Sequence, residues 1–504
     1  MALTLVLLAS ITTLLMAVTY FYWLRMNFWR ARGIPHDKPS YLFGSFSGVS
    51  KQYSFAEIVR SMYQRYKGTG PFCGYFFFQR PAVMALDMQL VKNILIKDFS
   101  NFSDRGLFYN EKDDPLTGHL FFADSAKWHV LHGKLSSTFT ESKVRGMFPC
   151  VRQKAQQMVV TLGEMLQRNS CVEIKEVMGR YTTDVIGKCA LGVECNSLTN
   201  PNAECRTIGR RIFTDRRHGL LLSGLMQGFP QLARKLHMAT IHPDIERFFM
   251  RFVRENVAYR LEHKVRGNDL MQQLMELSGC KKLRYDENDE FKGLSVEEMT
   301  AQAFFFFAAG SEKSSSTLSF ALYELAMQPE VQARLRCEIN ETLAQHDNQL
   351  TYECMNKMAY MKQVFAETLR KYPILPHLVR QALNDYVVPG YPKYVIPAGT
   401  LVTIPVIAIH YDAEIYPDPE KFDPERFTPE MVSAREKVEW LPFGDGPRKC
   451  IGFRFGHMEM RVALCYLLQN FHFALCTQTV VPVQISKSFS TIPKNGIFLK
   501  VERI

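Results

Sequence analysis

The chain has 504 residues, of which 47% are apolar and 22% charged. That balance excludes extended disorder and allows one large packed body or two to four ordinary domains. A formal net charge of +11 suits an anionic membrane or an acidic protein partner. With no Arg/Lys block interleaved with aromatics, no nucleic-acid partner is expected.

From Ala2 to Leu24 the sequence has 23 residues without a charge, about 30 Å of helix and therefore enough to cross a bilayer. Trp23 and Trp29 stand where interfacial aromatics belong, and Arg25, Arg30 and Arg32 place the remainder on the cytosolic side. No basic segment precedes the apolar run, so a retained anchor is expected rather than a cleaved signal. Gly33-Ile34-Pro35, Pro39 and Gly44 read as a stiff hinge. The expected organisation is an anchor over 1–24, a basic, Pro/Gly-containing hinge over 25–44, and one mainly α body with small β-sheets over 45–504. Twelve cysteines are scattered without CxxC or finger spacing, which reads as reduced thiols. The sequons at Asn101 and Asn340 are expected to stay unmodified in a cytosolic body.

Short alternating and aromatic segments between Arg60 and about Val91 predict a small sheet. Helical periodicity dominates from about Ser125 to Gly279, followed by a charged loop from Lys281 to Lys292. Ser295-Val-Glu-Glu298 is a capping box, and the helix it opens can run to Gln328, where Pro329 stops it. Within it, FFFFAAGSEKSSST places Glu312 and Lys313 in an apolar run. Phe305 or Phe306 can share a face with Ala309 and Glu312, although core packing is the ordinary role of any one phenylalanine. β-Branched residues broken by Gly and Pro from Val387 to Ile404 predict a second small sheet, and the last twenty residues a terminal hairpin.

The segment Phe443-Gly-Asp-Gly-Pro-Arg-Lys-Cys-Ile-Gly452 carries the most chemistry. Cys450 ends a glycine-rich loop at the head of a helix expected from Phe453 to about Leu468, where free N–H groups and the dipole favour a thiolate. Gly444, Gly446 and Gly452 let backbone N–H groups approach the sulfur. Arg448 can take a carboxylate bidentately.

With these residues the chain resembles the cytochrome P-450 family of haem-thiolate monooxygenases, matching every fixed position of F-x-x-G-x-R-x-C-x-G. Further matches are Glu367-Thr-Leu-Arg370 for E-x-x-R, Phe422-Asp-Pro-Glu-Arg-Phe427 for the P-E-R-F element, and Arg380 for a second propionate-binding arginine. The resemblance runs from the anchor to the C-terminus and is strongest to the insect microsomal branch known as family six, whose members commonly oxidise plant toxins and insecticides. It implies haem b held by Cys450, with Phe443, Gly444 and Gly452 shaping the loop and Arg448, Arg380 and Trp128 at the propionates. It implies a structural Glu367–Arg370–Arg426 network, and an oxygen pocket shaped by Ala309 and Gly310 with Glu312 on the proton path. Phe121, Phe122, Phe305, Phe306 and Leu375 are the expected pocket side chains. It also implies NADPH electrons through a flavoprotein reductase meeting the side near Arg448 and Lys449, cytochrome b5 as a further partner, and an endoplasmic reticulum membrane location. The apolar and basic segment Phe213–Ala239 would dip into lipid and admit lipophilic substrates.

Two positions depart from the family pattern. His132 replaces the arginine of W-x-x-x-R; beside a propionate its pKa is expected to rise. Lys313 replaces the threonine of (A/G)-G-x-(D/E)-T. A neutral buried amine relaying protons, a snorkelling lysine with Ser314 or water as relay, and impaired coupling with electrons lost to peroxide all remain open. The rival functions are a peroxide isomerase or dehydratase, or a haem- or ligand-binding protein without turnover.

Overall fold

The computed structural model describes residues 2–40, 43–49, 51–267, 269–279 and 293–504; the predicted charged loop from Lys281 to Lys292 lies outside them. The body is organised around the helix Val296–Met327, whose first turn carries the predicted capping box. Ser295 Oγ accepts from Glu298 N at 3.1 Å and Glu298 Oε2 accepts from Ser295 N at 3.0 Å. Its second half, from Ser314 to Ala326, is buried all round, as expected of a helix hydrophobic on every side. Helices Glu141–Leu166, Ile174–Ile186, Pro243–Glu262 and Phe453–Asn470 contribute to the same apolar core.

Among the described residues, three sheets flank the helices. Strands β1 (Phe72–Phe77), β2 (Arg80–Ala85), β4 (Leu378–Gln381) and β7 (Leu401–Ile404) form the largest, in the order β1-β2-β7-β4 with β2 and β7 parallel. β3 (Cys171–Glu173), β9 (Phe498–Arg503) and β8 (Phe471–Leu475) form the second, and β5 (Tyr386–Val387) with β6 (Val395–Ile396) the third. The mainly α architecture agrees with expectation; several boundaries do not. Phe55–Tyr66 is a helix capped by Ser54 and Glu57, so the sheet predicted from Arg60 starts at Phe72. The Val387–Ile404 stretch divides between the two-stranded ribbon and the four-stranded sheet. The last twenty residues hold an antiparallel bridge, Ile485 to Pro493, and the strand β9, whose partners β3 and β8 precede them, so the expected hairpin is confined to the turn before β9.

The helix Ala2–Met26 stands clear of the body, and its segment Leu3–Met26 is long and apolar enough to cross a membrane. Trp29 is not interfacial. It is fully buried, with its indole N–H donating to Tyr75 O at 3.0 Å and its ring against Gly74, where a Cβ would come within 2.5 Å. Arg25 donates to Gln79 O at 2.9 Å, His36 bridges to Gly74 and Gly44 to Phe77, so the segment is fastened to the first sheet at Arg25, His36 and Gly44. Helices Leu220–Gly228 and Pro230–Lys235, with the capping residue Leu236, expose Leu221, Leu222, Leu225, Leu232 and Leu236. They lie on the anchor's side of the body, where the Arg25 guanidinium rests over Phe229. Cys171 and Cys476 are disulfide-bonded with Cα atoms 6.4 Å apart. The expectation of uniformly reduced thiols fails there, because β3 and the end of β8 meet through β9.

Candidate functional site

The loop before Phe453–Asn470 is held by its backbone. Gly444 N donates to Leu441 O at 3.0 Å, Lys449 N to Gly446 O at 3.0 Å, and Cys450 N to Phe443 O at 2.9 Å. Gly444 and Gly446 have φ of 69° and 71°, the left-handed region that glycine enters without strain. At Gly446 a Cβ would lie 1.8 Å from Leu95 O. Gly446→Ala therefore combines roughly 1–3 kcal/mol of backbone strain with a clash against backbone that must move. Its denaturation midpoint should fall by more than that strain alone implies, at unchanged m value.

The outward brace of this loop is His410. Leu441 N donates to His410 Nε2 at 3.0 Å, which leaves the proton on Nδ1 to donate to Arg370 O at 3.2 Å. Burial and the Arg370 charge push this imidazole down to about 3, so it is neutral, as the bond requires. Arg370 in turn grips Glu367 with two bonds of 2.6 and 2.8 Å and donates to His410 O and Lys421 O; Asp423 N donates to Glu367 Oε1 at 2.8 Å. Arg426 Nε stands 3.6 Å from Glu367 Oε1, an ion pair outside hydrogen-bond geometry. The three residues of the expected network are thus together.

Cys450 is accessible yet densely surrounded by protein atoms, as in a recess of the fold. Burial pushes the thiol pKa up, opposed by the Gly452 N–H and by the charges of Lys313, Arg105 and Lys449. Around it stand three arginines that repel one another. Burial and Arg448 lower Arg380 to about 9, burial lowers Arg448 to about 10, and burial with both neighbours holds Arg105 well below its usual value. Arg380 Nε and Arg448 Nε and Nη1 are buried without a hydrogen-bond partner. Arg448 also stacks its guanidinium 4.5 Å over the Trp128 ring and donates to Ala123 O at 2.9 Å. Unpaired buried cations are costly. A planar iron porphyrin with two carboxylates would pair them and meet the sulfur at its metal, so the residues present fit haem b.

His132 packs on Trp128, with ring centroids 4.8 Å apart. Burial and the Arg448 charge push its pKa down, and a propionate beside the ring would oppose that shift. His132→Arg should slow haem release, and by a factor that stays constant between pH 7 and pH 9. A ratio that widens over that interval would show instead that His132 is charged at pH 7.

On the opposite wall, Phe305, Ala309 and Lys313 recur at i, i+4 and i+8 on one face of the central helix. Phe305 stacks on His119 at 4.6 Å, His119 on Phe122 at 4.7 Å, and Phe121 meets Phe122 at 5.4 Å; Phe306 packs on Phe139. Leu375 is half-buried before β4. Two expected members of the oxygen site face elsewhere. Glu312 is ion-paired with Lys175 at 2.9 Å, and a Cβ on Gly310 would lie 2.6 Å from Ile186, so both serve the contact with helix Ile174–Ile186. Ser314 turns to Glu459, a fully buried carboxyl that burial raises to about 8, with the Ser314 hydroxyl close but outside hydrogen-bond geometry. Arg105, His119 and His410 were not anticipated. The first two sit in irregular chain with no periodicity to mark them, and His410 follows an apolar run as its lone polar residue.

The family model described as "Cytochrome P450" matches residues 34–500. Cytochrome P450 6a8 of Drosophila melanogaster is 47% identical over 506 residues, covering 100% of both chains. Cytochrome P450 6a2 of the same species is 46% identical over 503 residues, 99% of each chain, and Cytochrome P450 6A1 of Musca domestica 44% over 489 residues, 96% of this chain and 95% of that one. With a buried cysteine at the head of a helix and unpaired arginines around it, these matches across the whole length lead to one conclusion: the chain belongs to the cytochrome P450 family and is a P450 monooxygenase.

Proposed function

We propose that this protein inserts one atom of dioxygen into a lipophilic small molecule at the cytosolic face of the endoplasmic reticulum, with NADPH electrons delivered by a flavoprotein reductase. The observation that carries this reading is the Cys450 thiol in a recess of the fold between the unpaired arginines and the aromatic wall of Phe121, Phe122 and Phe305. When bound, haem would supply oxygen activation, with thiolate donation favouring O–O cleavage. The chain's own groups do the rest. Arg105, Arg380 and Arg448 would hold the two carboxylates, and Gly452 N–H would temper the sulfur's charge. His119 and the phenylalanines would exclude water and favour apolar, aromatic substrates such as plant toxins, insecticides or endogenous lipids. Exposed leucines of 221–236, beside the anchor, would rest on the bilayer and admit such substrates from it. The exposed Lys449 side near Cys450 suits the acidic face of a reductase, and cytochrome b5 would share it.

The carbon monoxide difference spectrum of the reduced protein tests the site, and a thiolate-type Soret band is expected. Incubation with reductase, NADPH and ¹⁸O₂ tests the reaction: product should carry one ¹⁸O atom. Conversion of a peroxide without NADPH would overturn the monooxygenase reading in favour of an isomerase or dehydratase.

A further inference from the structure

His119 stands where the loop before helix Ser125–Ser136 crosses the central helix, and its backbone is fixed from both sides. Gln302, fully buried on the central helix, accepts from Leu120 N at 2.9 Å and donates to Gly118 O at 3.4 Å. Further along, Arg105 donates to Phe121 O at 2.8 Å and Arg448 to Ala123 O at 2.9 Å. Residues 118–123 are therefore strung between the central helix and two of the arginines described above. The imidazole is sandwiched between Phe305 at 4.6 Å and Phe122 at 4.7 Å, inclined 14° and 28° to them.

The hydrogen bonds of this ring are one-sided. Phe121 N donates to Nδ1 at 3.3 Å, so Nδ1 carries no proton and Nε2 does. Burial and the Arg105 charge push the imidazole down to about 3, in agreement with a neutral ring. The Nε2–H has no hydrogen bond among the described residues, yet it is not sealed in protein as Arg448 Nε and Nη1 are. It keeps accessible surface although His119 is only 5% exposed. His410 is the contrast, a core histidine whose two nitrogens meet backbone groups at 3.0 and 3.2 Å. Whatever packs against the wall of Phe121, Phe122 and Phe305 must supply an acceptor to His119 or leave its donor unpaired, which is costly.

We infer that His119 determines substrate choice: its Nε2–H donates to an uncharged carbonyl oxygen on an otherwise apolar, aromatic substrate packed against Phe121, Phe122 and Phe305. The inference deepens the oxygenation proposed above and rests on it. The Gln302 clamp and the two stacked rings fix the donor's direction before substrate arrives, so little ordering cost falls on binding. A single donor in an aromatic wall also selects sharply, because an analogue lacking the acceptor strands it. The other use of an open imidazole nitrogen, as a metal ligand, needs a lone pair on Nε2. That lone pair is absent while Nδ1 accepts from Phe121 N.

The test titrates the full-length haem-loaded protein in detergent with 9-fluorenone and with fluorene, one tricyclic frame with and without a carbonyl, following the ferric Soret band. His119→Phe keeps an aromatic ring between Phe122 and Phe305 and removes the donor; His119→Gln returns an N–H near the Nε2 position. In His119→Phe the ratio of the two dissociation constants should move about fivefold against fluorenone, as expected for one neutral hydrogen bond. Fluorene binding should hardly change, and His119→Gln should restore the preference. An unchanged ratio in His119→Phe would overturn the inference. So would a wild type that binds fluorenone several-fold more weakly than fluorene, as a wall without a donor would, a result that needs no variant. A substrate-free ferric Soret band that moves to shorter wavelength in His119→Phe would make Nε2 an iron ligand and overturn it too. Absence of the thiolate-type carbon monoxide band from the wild type would instead defeat the haem-thiolate reading; with that band present, the fluorenone ratio judges His119 alone.

Discussion

Cys450→Ala is expected to abolish the thiolate-type carbon monoxide band and oxygenation together, while the apoprotein keeps its stability to within about 1 kcal/mol. The two halves of this expectation have separate causes. Apart from the Gly452 N–H on its sulfur, the side chain anchors nothing in the loop, which is held by Phe443 O, Gly446 O and Leu441 O, all of which survive truncation at Cβ. Substitutions that break no network and open no closed cavity stay near that size. The chemistry, by contrast, has no substitute. Burial raises the Cys450 pKa, and the nearby Lys313, Arg105 and Lys449 charges only partly oppose it. A coordinated metal deprotonates such a thiol outright, so sulfur and iron depend on one another. Of the other free cysteines, Cys73 lies in β1, Cys354 and Cys465 are buried in the core away from the loop, and Cys337 is exposed on the surface. A variant that kept the thiolate band would therefore assign the ligand to another cysteine and undo the geometry described above.

What was legible in the sequence follows from how locally each feature is determined. The capping box at Ser295 is settled within four residues, and it appears as read. The Cys450 loop is equally local: its left-handed glycines and the helix that follows need no distant partner to be recognised. Glu312 shows the opposite case. The family resemblance implied a distal acid, but its direction is decided by Lys175, a residue on another helix that no spacing rule links to it. Gly310 was read as making room on the haem side, and it makes room for Ile186 instead. Trp29 looked interfacial from its distance to the apolar run; the sheet beneath it, with a glycine at position 74 to receive the indole, makes it core. Arg105 and His119 stayed invisible because they lie in irregular chain, and their importance comes only from what converges on them in three dimensions.

Arg370→Ala and Glu367→Ala should each destabilise the protein by about 3–5 kcal/mol, the cost of stranding one buried charge, and should yield haem-depleted material. Both side chains are fully buried, so solvent cannot take over the orphan. The informative experiment adds the double variant Glu367→Leu/Arg370→Met. If the pair were only an ion pair, removing both charges would restore most of the loss, since buried pairs are often replaceable by apolar residues. Here the pair also satisfies backbone. Glu367 accepts from Asp423 N, while Arg370 donates to His410 O and Lys421 O. Leaving these groups unpaired costs about 1–3 kcal/mol each. It also frees His410, through which Leu441 and the Cys450 loop are braced. The double variant is therefore expected to recover less than half of the single-variant loss in denaturant midpoint, and to load haem as poorly as either single variant. Recovery to near wild-type stability with full haem content would show that the loop before Cys450 holds its shape without the clamp, and that the glycines and the Phe443–Cys450 bond alone determine it.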